Sequence, residues 1–340
     1  MIKNNLFLIP NLENVVFIGY TDQFANLIEI IKKLNLECLI ITSSDQAKNI
    51  HSKIEFKVFN NINNHFKKYI LNKFAIDKTL FISIGSRIIF SKNTINNFFK
   101  NNLVNFHSSR LPLDSGGGNM SWRIMRNDRI DNQLVHIIDD DIDAGPIIMS
   151  QKSIFPRNCQ IPIELEDYSK KNFLIFFKEF IENVASGKNF KLHHQVNYLG
   201  RYNPRLDTRL NGWIDWNLKS ADLIKFINAF EDPYSGAQTT IRNLEVKIKK
   251  AQLHGGDSSN HPFMSGLISR HDNDWLVVST IDENMLLIEC VLDSKNKNIM
   301  RELKVGDRFI TPIEKIYLSK KIRPRYTGKG LTQKKIKIIY

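Results

Sequence analysis

The sequence predicts an α/β protein in which an open parallel sheet flanked by helices is followed by a smaller domain of short strands. Strand patterns alternate with helix-spaced patterns in the first part of the chain, and closely spaced short strand patterns dominate after the middle. The chain has 340 residues, of which 42% are hydrophobic and 24% charged. Since a domain typically takes about 100 to 200 residues, this length favours two folded domains.

The first strand, helix and strand set the direction of the predicted sheet. NVVFIGY, residues 14–20, is an apolar run that ends in glycine and predicts a buried strand. Residues 24–34 carry apolar side chains at helical spacing, and ECLIIT, residues 37–42, is strand-like again. Strand, helix and strand in this order indicate a parallel unit.

The same alternation continues through a first domain that we assign to residues 1–190. A polar region with Gly, Pro and several Arg follows, and we interpret residues 191–212 as a linker. Within the first domain, further strands are predicted over 80–84, 103–106 and 134–138, and helices over 93–99, 120–125 and 173–184.

The second predicted domain, residues 213–318, combines one helix over 221–230 with short strands. Closely spaced strands separated by turn residues favour a small barrel. The tail, residues 319–340, is basic: residues 320–340 contain eight Lys and Arg and no acid, which fits a solvated tail or a phosphate-seeking arm. The predicted strands of this domain cover 246–248, 266–269, 275–280, 285–292 and 308–310.

The charge of the chain indicates an anionic partner. Its formal net charge is +13, and a positive field concentrates nucleic acid, anionic lipid or phosphorylated small molecules. No stretch approaches the roughly 20 apolar residues that span a bilayer, and the N-terminal apolar run is too short for a signal peptide. We therefore expect a cytoplasmic protein without membrane insertion. Cys38, Cys159 and Cys290 are too widely separated for a zinc ligand pair or a disulfide framework.

Candidate catalytic residues follow two of the predicted strands. Asn105 and His107 lie where the strand over 103–106 gives way to a loop, and the strand over 134–138 runs into DDDIDAG, which contains Asp143. In open parallel sheets ligands gather at the carboxyl ends of strands, so we expect these side chains to converge. Amide, imidazole and carboxylate suit attack by an amine on an activated carbonyl, because they stabilise an oxyanion and move a proton. Structural turn residues, or a hard-cation site formed by the aspartates, are the alternatives.

Longer stretches resemble a known family. NFHSSRLP and LVHIIDDDIDAGPII are similar to the signature of the 10-formyltetrahydrofolate-dependent formyltransferases, Asn-x-His-x-Ser-x-Leu-Pro followed by a strand ending in Asp-x-Gly. NGWIDWNLKSADLIKFINAFEDPYSGA and KVGDRFITP resemble the carboxyl-terminal barrel of the methionyl-tRNA and amino-sugar formyltransferases. The matching motif positions are Asn105, His107, Ser109, Leu111, Pro112, Asp143 and Gly145.

This resemblance implies a Rossmann-like parallel-sheet formyltransferase domain followed by an OB-like β-barrel. It implies a one-carbon transferase in which Asn105, His107 and Asp143 are catalytic and 10-formyltetrahydrofolate is the co-substrate, released as tetrahydrofolate, with no metal. The formyl donor is then expected along Ser86, Arg87, Ile88 and Ile89 and beside Asp139 and Asp141.

The acceptor is the open question. Methionyl-tRNA formyltransferases carry a basic insertion after the second strand and an Arg-Gly-Ala-Ala-Pro-like stretch, whereas this chain has SSDQAKNIHSKIEF and LDSGGGNMSW. These departures favour the amine of a nucleotide-linked amino sugar, with methionyl-tRNA as the alternative. The three glycines before Asn119 either expose backbone N–H groups to a phosphate, helped by the arginines of the following helix, or allow a tight turn. The expected acceptor contacts are Ser109, Gly116, Gly117, Gly118, Asn119, Trp122, Arg123 and Tyr234.

Three other hypotheses rank lower. A nucleic-acid binding protein would use the barrel and the basic tail and would show steep salt dependence without folate dependence. An inactive homologue is disfavoured because Asn105, His107 and Asp143 are all present. Formyl transfer to glycinamide ribonucleotide fits DAGPII but leaves the second domain without a role. A homodimer is an open alternative to a monomer.

Overall fold

The computed structural model describes residues 5–117, 119–141, 143–196, 200–256, 259–322, 326–327 and 330–331. The helices are α1 Phe24–Lys33, α2 Asn64–Leu71, α3 Lys92–Thr94, α4 Asn119–Met125, α5 Pro162–Ala185, α6 Thr208–Asn211, α7 Ser220–Ala229 and α8 Ile313–Lys321. The strands of the first half are β1 Leu6–Phe7, β2 Asn14–Gly19, β3 Glu37–Thr42, β4 Lys57–Val58, β5 Thr79–Ile84, β6 Leu103–His107, β7 Asp114–Gly116, β8 Ile130–Ile137 and β9 Ile147–Ile154. Those that follow are β10 Phe190–Lys191, β11 Arg201–Asn203, β12 Ala237–Ile241, β13 Leu244–His254, β14 Ile268–His271, β15 Leu276–Ser279, β16 Met285–Leu292, β17 Phe309–Ile310, β18 Tyr326–Thr327 and β19 Gly330–Leu331.

The first half of the chain forms a seven-stranded sheet in the order β4-β3-β2-β5-β6-β8-β9. The strands from β4 to β6 are parallel, but β8 and β9 are antiparallel to their neighbours. The predicted open parallel sheet is therefore parallel from β4 to β6 but not at this edge. The connection between β8 and β9 is too short for a parallel crossover, so β9 returns beside β8 as a hairpin. The direction of β8 itself is set by its pairing with β6.

Both faces of this sheet are covered, which explains why its strands are uniformly apolar. Every residue of β2 is buried, as expected for a strand between two layers of helices. Phe17, Phe106 and helices α1 and α5 belong to the core on one face, while Val16, Phe81 and helix α2 belong to the core on the other. The predicted strands and helix up to residue 42 are confirmed.

Helix α5 is twice as long as its apolar pattern predicts. It begins at Pro162, and the Glu164 carboxylate accepts the backbone N–H of Ile161, which satisfies donors of the first turn. Proline is well tolerated there because its missing N–H has no helical partner anyway. Only Pro162, Leu165 and Ser169 are buried in the first half of the helix, so that half shows no continuous apolar stripe.

The region predicted as an irregular linker contains short elements that bind the first domain. β10 pairs with β1, and β11 runs parallel to β7. Gly116 in β7 has φ +94°, and a Cβ there would lie 2.2 Å from the backbone oxygen of Asn203. The linker strand therefore packs directly against the glycine segment. The boundaries of the predicted domains stay predictions.

The second half forms a curled antiparallel sheet in the order β14-β15-β16-β13-β12-β17. The two edges approach each other, because Phe309 N–H donates to Gly266 O at 2.8 Å and Ile268 N–H donates to Asp307 O at 2.8 Å. The OB-like barrel stays a prediction. Helix α7, predicted over 221–230, is confirmed, and it packs against β13 on one side and against α4 of the first half on the other.

Hydrogen bonds join the two halves close to α4. Ser121 Oγ donates to Ala229 O at 2.8 Å, and Trp122 Nε1 donates to Pro204 O at 2.8 Å. None of the three cysteines forms a disulfide. Among the described residues, no helix combines the length and the apolar character needed to cross a membrane.

Candidate active site

The site is centred on a pair of side chains from adjacent strands. Asn105 of β6 and His136 of β8 are direct partners in the antiparallel register, and Asn105 Nδ2 lies 3.1 Å from His136 Nε2. The other ring nitrogen, Nδ1, lies 2.9 Å from the carbonyl oxygen of Ile137, which only accepts. Nδ1 therefore carries the proton, Nε2 accepts from Asn105, and the orientation of the Asn105 amide is fixed.

His107 and Asp143 complete the cluster. His107 Nε2 lies 3.6 Å from Asp143 Oδ2, and His136 Nε2 lies 3.8 Å from Asp143 Oδ1. The imidazole of His107 is 26% exposed, yet its Nε2 atom is buried and has no hydrogen-bond partner among the described residues. One carboxylate therefore faces two imidazoles.

Asp143 reaches His107 by a route that the sequence does not indicate. Since β8 is antiparallel to β6, Ile137 at the end of β8 is level with Val104 rather than with His107, so the loop after β8 must fold back. Gln195 Nε2 holds this loop by donating to Asp143 O at 2.8 Å and to Gly145 O at 2.7 Å. The predicted convergence occurs, but the reason given for it, a shared carboxyl edge, is wrong.

Burial controls the charge of both imidazoles. It lowers the pKa of His107, and this outweighs the opposing effect of Asp143, while Arg123 lowers the pKa further. Burial also lowers the pKa of His136 to about 4, against a hydrogen bond to Ile137 that raises it. Asp143 favours the charged form of the His107 ring, but burial outweighs it, so both rings are mainly neutral at neutral pH.

A buried polar network supports the residue after His107. The carbonyl oxygen of Ser108 accepts from Arg123 Nη2 at 2.9 Å and from Asn119 Nδ2 at 2.7 Å. Ser108 Oγ donates to Gln133 Oε1 at 3.1 Å. Arg123 is only 1% exposed and pairs with the buried Asp131 at 3.6 Å. The backbone beside His107 is thus fixed by Arg123 and Asn119 at the Ser108 carbonyl and by Gln133 at the Ser108 side chain.

An ion pair joins the neighbours of the two segments predicted to hold the formyl donor. Lys92 and Asp140 form a close ion pair that joins the segment after β5 to the acidic loop. Ser86 Oγ accepts the N–H of Ile88 at 3.0 Å, Arg87 pairs with Asp45, and the Ile89 side chain is 82% exposed. The Ile88 side chain is buried in the core, so only its backbone faces a ligand. Asp139 and Asp141 are exposed. No group of three or more His, Cys, Asp or Glu within the described part of the chain is arranged for a metal.

The residues predicted to contact the acceptor make contacts within the protein. Gly117 N–H donates to Asn203 O at 2.9 Å, so the glycines contact the linker strand. Ser109 is buried and donates to Asp114 O, and the indole N–H of Trp122 is bound to Pro204. Tyr234 lies in the turn before β12, where its N–H donates to Glu231 O at 3.0 Å. Gly118 lies outside the described residues.

A small cavity borders the carboxyl end of β6. Its volume is about 240 Å³, and its lining includes Phe106 and Ser108 but not His107. Side chains alternate along a strand, so Phe106 and His107 point to opposite faces of β6. Phe106, Phe173 and Met120 make part of the lining apolar, and Glu166 and Lys170 add charges of both signs. It can therefore take a small group with apolar and polar parts.

Sequence reasoning missed His136 as a member of the site. The stretch LVHII predicts a buried strand. Sequence alone does not distinguish a site histidine in such a strand from a histidine with only a structural role. The register of β6 against β8 is the feature that places His136 opposite Asn105, and a sequence pattern does not contain it.

Comparison with known proteins supports a shared family. Residues 208–307 match the family model described as "Formyl transferase, C-terminal domain". A methionyl-tRNA formyltransferase from Prochlorococcus marinus (strain MIT 9515) is 22% identical over 331 residues, covering 87% of this chain and 99% of that protein. The enzyme of the same name from Prochlorococcus marinus (strain MIT 9312) is 25% identical over 218 residues, covering 59% of this chain and 65% of that protein.

A solved structure shows the same fold. The N-formyltransferase from Helicobacter canadensis, in complex with folinic acid and dTDP-3-aminofucose, superposes with a TM-score of 0.58 at 20% identity, covering 82% of this chain and 99% of the other. The fold, the match over residues 208–307 and the sequence relatives agree. These similarities support a formyltransferase family for this chain and indicate a one-carbon transferase.

Proposed function

We propose that this protein transfers a formyl group from 10-formyltetrahydrofolate to the primary amine of an anionic acceptor. The observation that carries the proposal is the cluster of Asn105, His107 and Asp143, in which the buried His107 Nε2 has no partner among the described residues. An unpartnered polar atom inside a site is normally satisfied by a ligand or water.

Each member of the cluster has a role in that reaction. The Asn105 amide carries two hydrogens, and one is used by His136, so the second can stabilise negative charge on the formyl oxygen. Neutral His107 can accept a proton from the attacking amine, and the imidazolium so formed is stabilised by Asp143. As the bond between the formyl carbon and the folate nitrogen breaks, the imidazolium returns the proton to that nitrogen, so tetrahydrofolate leaves and neutral His107 is restored. The reaction thus begins with a neutral imidazole, in agreement with its lowered pKa.

The chain offers a suitable surface for the folate. Exposed Ile89 and the backbone of the segment after β5 provide an apolar surface, and the acidic loop across the Lys92–Asp140 ion pair provides acceptors for polar ring edges. The co-substrate supplies the formyl group, and these residues bind and orient it. Folinic acid in the Helicobacter canadensis enzyme supports a folate donor.

A nucleotide-linked amino sugar is the acceptor that we favour. The Helicobacter canadensis enzyme binds dTDP-3-aminofucose, and this chain lacks the basic insertion expected of methionyl-tRNA formyltransferases.

Methionyl-tRNA is the second candidate acceptor. The sequence relatives described above are methionyl-tRNA formyltransferases, and a match that covers 99% of one of them supports this alternative. The net charge of +13 is compatible with either acceptor.

The test is release of tetrahydrofolate from 10-formyltetrahydrofolate by the purified protein, with methionyl-tRNA and a panel of nucleotide-linked 3-amino and 4-amino sugars supplied separately. Turnover with a sugar supports the favoured acceptor, and turnover only with charged tRNA replaces it by the second. Absence of amine-dependent release with every acceptor contradicts the proposed reaction.

A further inference from the structure

Helix α4 carries a fully buried arginine. Arg123 is 1% exposed, and its guanidinium lies over the ring of Phe155, 5.7 Å from the ring centre. A buried cation is costly unless it is paired with an opposite charge and hydrogen-bonded. The groups around Arg123 therefore have to compensate for its burial.

A buried carboxylate of β8 balances the Arg123 charge. Arg123 Nη1 lies 3.6 Å from Asp131 Oδ1, and this nitrogen has no hydrogen-bond partner among the described residues. The Asp131 carboxylate accepts from Ser169 Oγ at 2.9 Å and from Asn172 Nδ2 at 2.9 Å. Two side chains of α5 thus fix the carboxylate, and the guanidinium lies beside it without a direct hydrogen bond.

The other end of the guanidinium reaches the strand end that carries His107. Arg123 Nη2 donates to the carbonyl oxygen of Ser108 at 2.9 Å. Ser108 Oγ donates to Gln133 Oε1 at 3.1 Å, and Gln133 Nε2 donates to Asp131 Oδ2 at 3.2 Å. The carbonyl and the hydroxyl of Ser108 are therefore both connected to the same buried charge pair.

Arg123 also acts on the His107 ring through its charge. Among the described residues, the charged or titratable side chains that interact with this ring are Asp143 of the loop after β8, His136 of β8 and Arg123 of α4. Burial is the main cause of the lowered pKa of His107, Asp143 opposes it, and Arg123 lowers this pKa further. The charges that act on Arg123 itself are Asp131, Asp128, Arg110 and Asp114.

We propose that Arg123 is a positioning residue for the reaction, which fixes the strand end at Ser108 and with it the ring of His107. This role rests on the proposed function, because it requires His107 to exchange protons with the reactants. The buried positive charge disfavours a second positive charge on His107. The ring therefore begins the reaction neutral, and its imidazolium readily gives its proton to the folate nitrogen.

The test variant removes the whole buried charge pair, because loss of Arg123 alone leaves the Asp131 carboxylate buried without its cation. It is the double variant Arg123→Met, Asp131→Asn. Asp131→Asn alone is its matched control, since it loses the same carboxylate but keeps Arg123. Arg123→Lys keeps the positive charge and can still donate to a carbonyl.

Arg129→Gln is the control for an arginine with only a structural role. Arg129 donates to three backbone carbonyls between β9 and α5, but it does not bind Ser108 and is not among the charges that act on His107. Loss of its contacts affects the same region of the fold without reaching the strand end of His107.

The pKa of His107 is measured by NMR of the histidine rings, with its signal identified by its absence in His107→Gln. Steady-state kinetics at a pH above this titration then report positioning alone, in variants that urea unfolding shows to be folded. We expect His107 of the double variant to titrate at a higher pH than in the wild type and in Asp131→Asn. The double variant should lower kcat about 10-fold to 100-fold relative to both, with KM for 10-formyltetrahydrofolate within about twofold.

Arg123→Lys should keep the wild-type pKa of His107 and recover part of kcat, and Arg129→Gln should match the wild type in both. An unchanged pKa of His107 in the double variant, an unchanged kcat, or equal effects of Arg129→Gln overturn the role of Arg123. If the wild type shows no amine-dependent turnover while the pKa of His107 shifts as expected, the proposed function fails and the coupling of Arg123 to His107 stands. Wild-type turnover with no change in the double variant contradicts only the role of Arg123.

Discussion

The Nδ2 atom of Asn105 donates a hydrogen bond to Nε2 of His136, 3.1 Å away on the neighbouring strand. His136 can accept this bond because its Nδ1 proton is held by the carbonyl oxygen of Ile137. The amide of Asn105 is therefore oriented by a neutral, buried histidine. This relationship assigns His136 the role of a positioning residue for the proposed oxyanion donor.

Removing the imidazole of His136 should lower turnover without a comparable loss of substrate affinity. We expect His136→Ala to reduce kcat about 10-fold to 100-fold, because a misplaced donor loses much of its stabilisation of the developing charge. His136→Gln keeps an acceptor facing Asn105 and should recover a substantial part of the loss. Steady-state kinetics of both variants checks this, and equal activity of His136→Ala and the wild type contradicts the positioning role.

His107 and Asp143 should be required for turnover but not for folding. We expect His107→Ala to lower kcat about 100-fold or more, since general base catalysis typically contributes about 10² to 10⁴. Asp143→Asn is the sharper change at the second position, because Asp143 has φ +56° and asparagine tolerates that conformation. Asp143→Asn should also lower kcat strongly, and its unfolding transition should match that of the wild type.

The control for Asp143→Asn is Asp274→Asn. Asp274 is exposed in the second half of the chain and pairs with Arg301 rather than with a histidine. A rate close to that of the wild type in Asp143→Asn, or an equal loss in both variants, contradicts a specific role for Asp143.

The buried histidines should make the protein less stable in acid. The pKa of His136 is about 4 in the folded protein against 6.5 as its ordinary value, so the unfolded chain binds the proton more readily between these values. The free energy of unfolding should fall as pH drops from about 6.5 towards 4, by on the order of 2 to 3 kcal/mol from this group. The lowered pKa of His107 acts in the same direction.

Urea unfolding at about pH 7 and about pH 4.5 measures this effect. His136→Gln should show a loss of stability smaller than that of the wild type by about 2 kcal/mol, whereas the exposed His51→Gln should match the wild type. An identical pH dependence in all three proteins shows that His136 does not contribute.

The glycine segment should be sensitive to close contact as well as to backbone conformation. Gly116 has φ +94° and contacts the Asn203 carbonyl, whereas Gly187 has φ +74° and a Cβ added there would meet no heavy atom within 4 Å. We expect Gly187→Ala to cost about 1 kcal/mol of unfolding free energy from the backbone alone. Gly116→Ala should cost about 1 to 3 kcal/mol more because of the clash. Urea unfolding of both variants measures the difference. An equal loss of unfolding free energy in the two variants shows that β11 can move away from the added Cβ without a measurable cost.

Most of the fold of the first half follows from local sequence patterns. Residues 14–42 form the predicted strand, helix and strand because a buried run and a helical apolar stripe are properties of neighbouring residues. The direction of β8 is not such a property. It depends on pairing with β6, which lies more than 20 residues earlier in the chain, and the prediction of a parallel strand is wrong for that reason.

The candidate site likewise combines features that local sequence patterns predict with features that depend on contacts distant in sequence. Asn105, His107 and Asp143 are brought together as expected, and their catalytic role stays a prediction. Folding back of the acidic loop, the part of His136 and the burial of Arg123 all depend on contacts distant in sequence. The glycines, predicted to meet either a phosphate or a tight turn, contact the linker strand because β7 and β11 pair.

The most direct test of the central claim follows the formyl carbon itself. 10-Formyltetrahydrofolate labelled in the formyl group is mixed with excess protein and the acceptor identified by the panel, and the label is traced in a single turnover. The account predicts that the label moves to the acceptor amine with the wild type and that His107→Ala leaves it on the folate. Label that stays on the folate with the wild type, or that moves equally fast with His107→Ala, contradicts it.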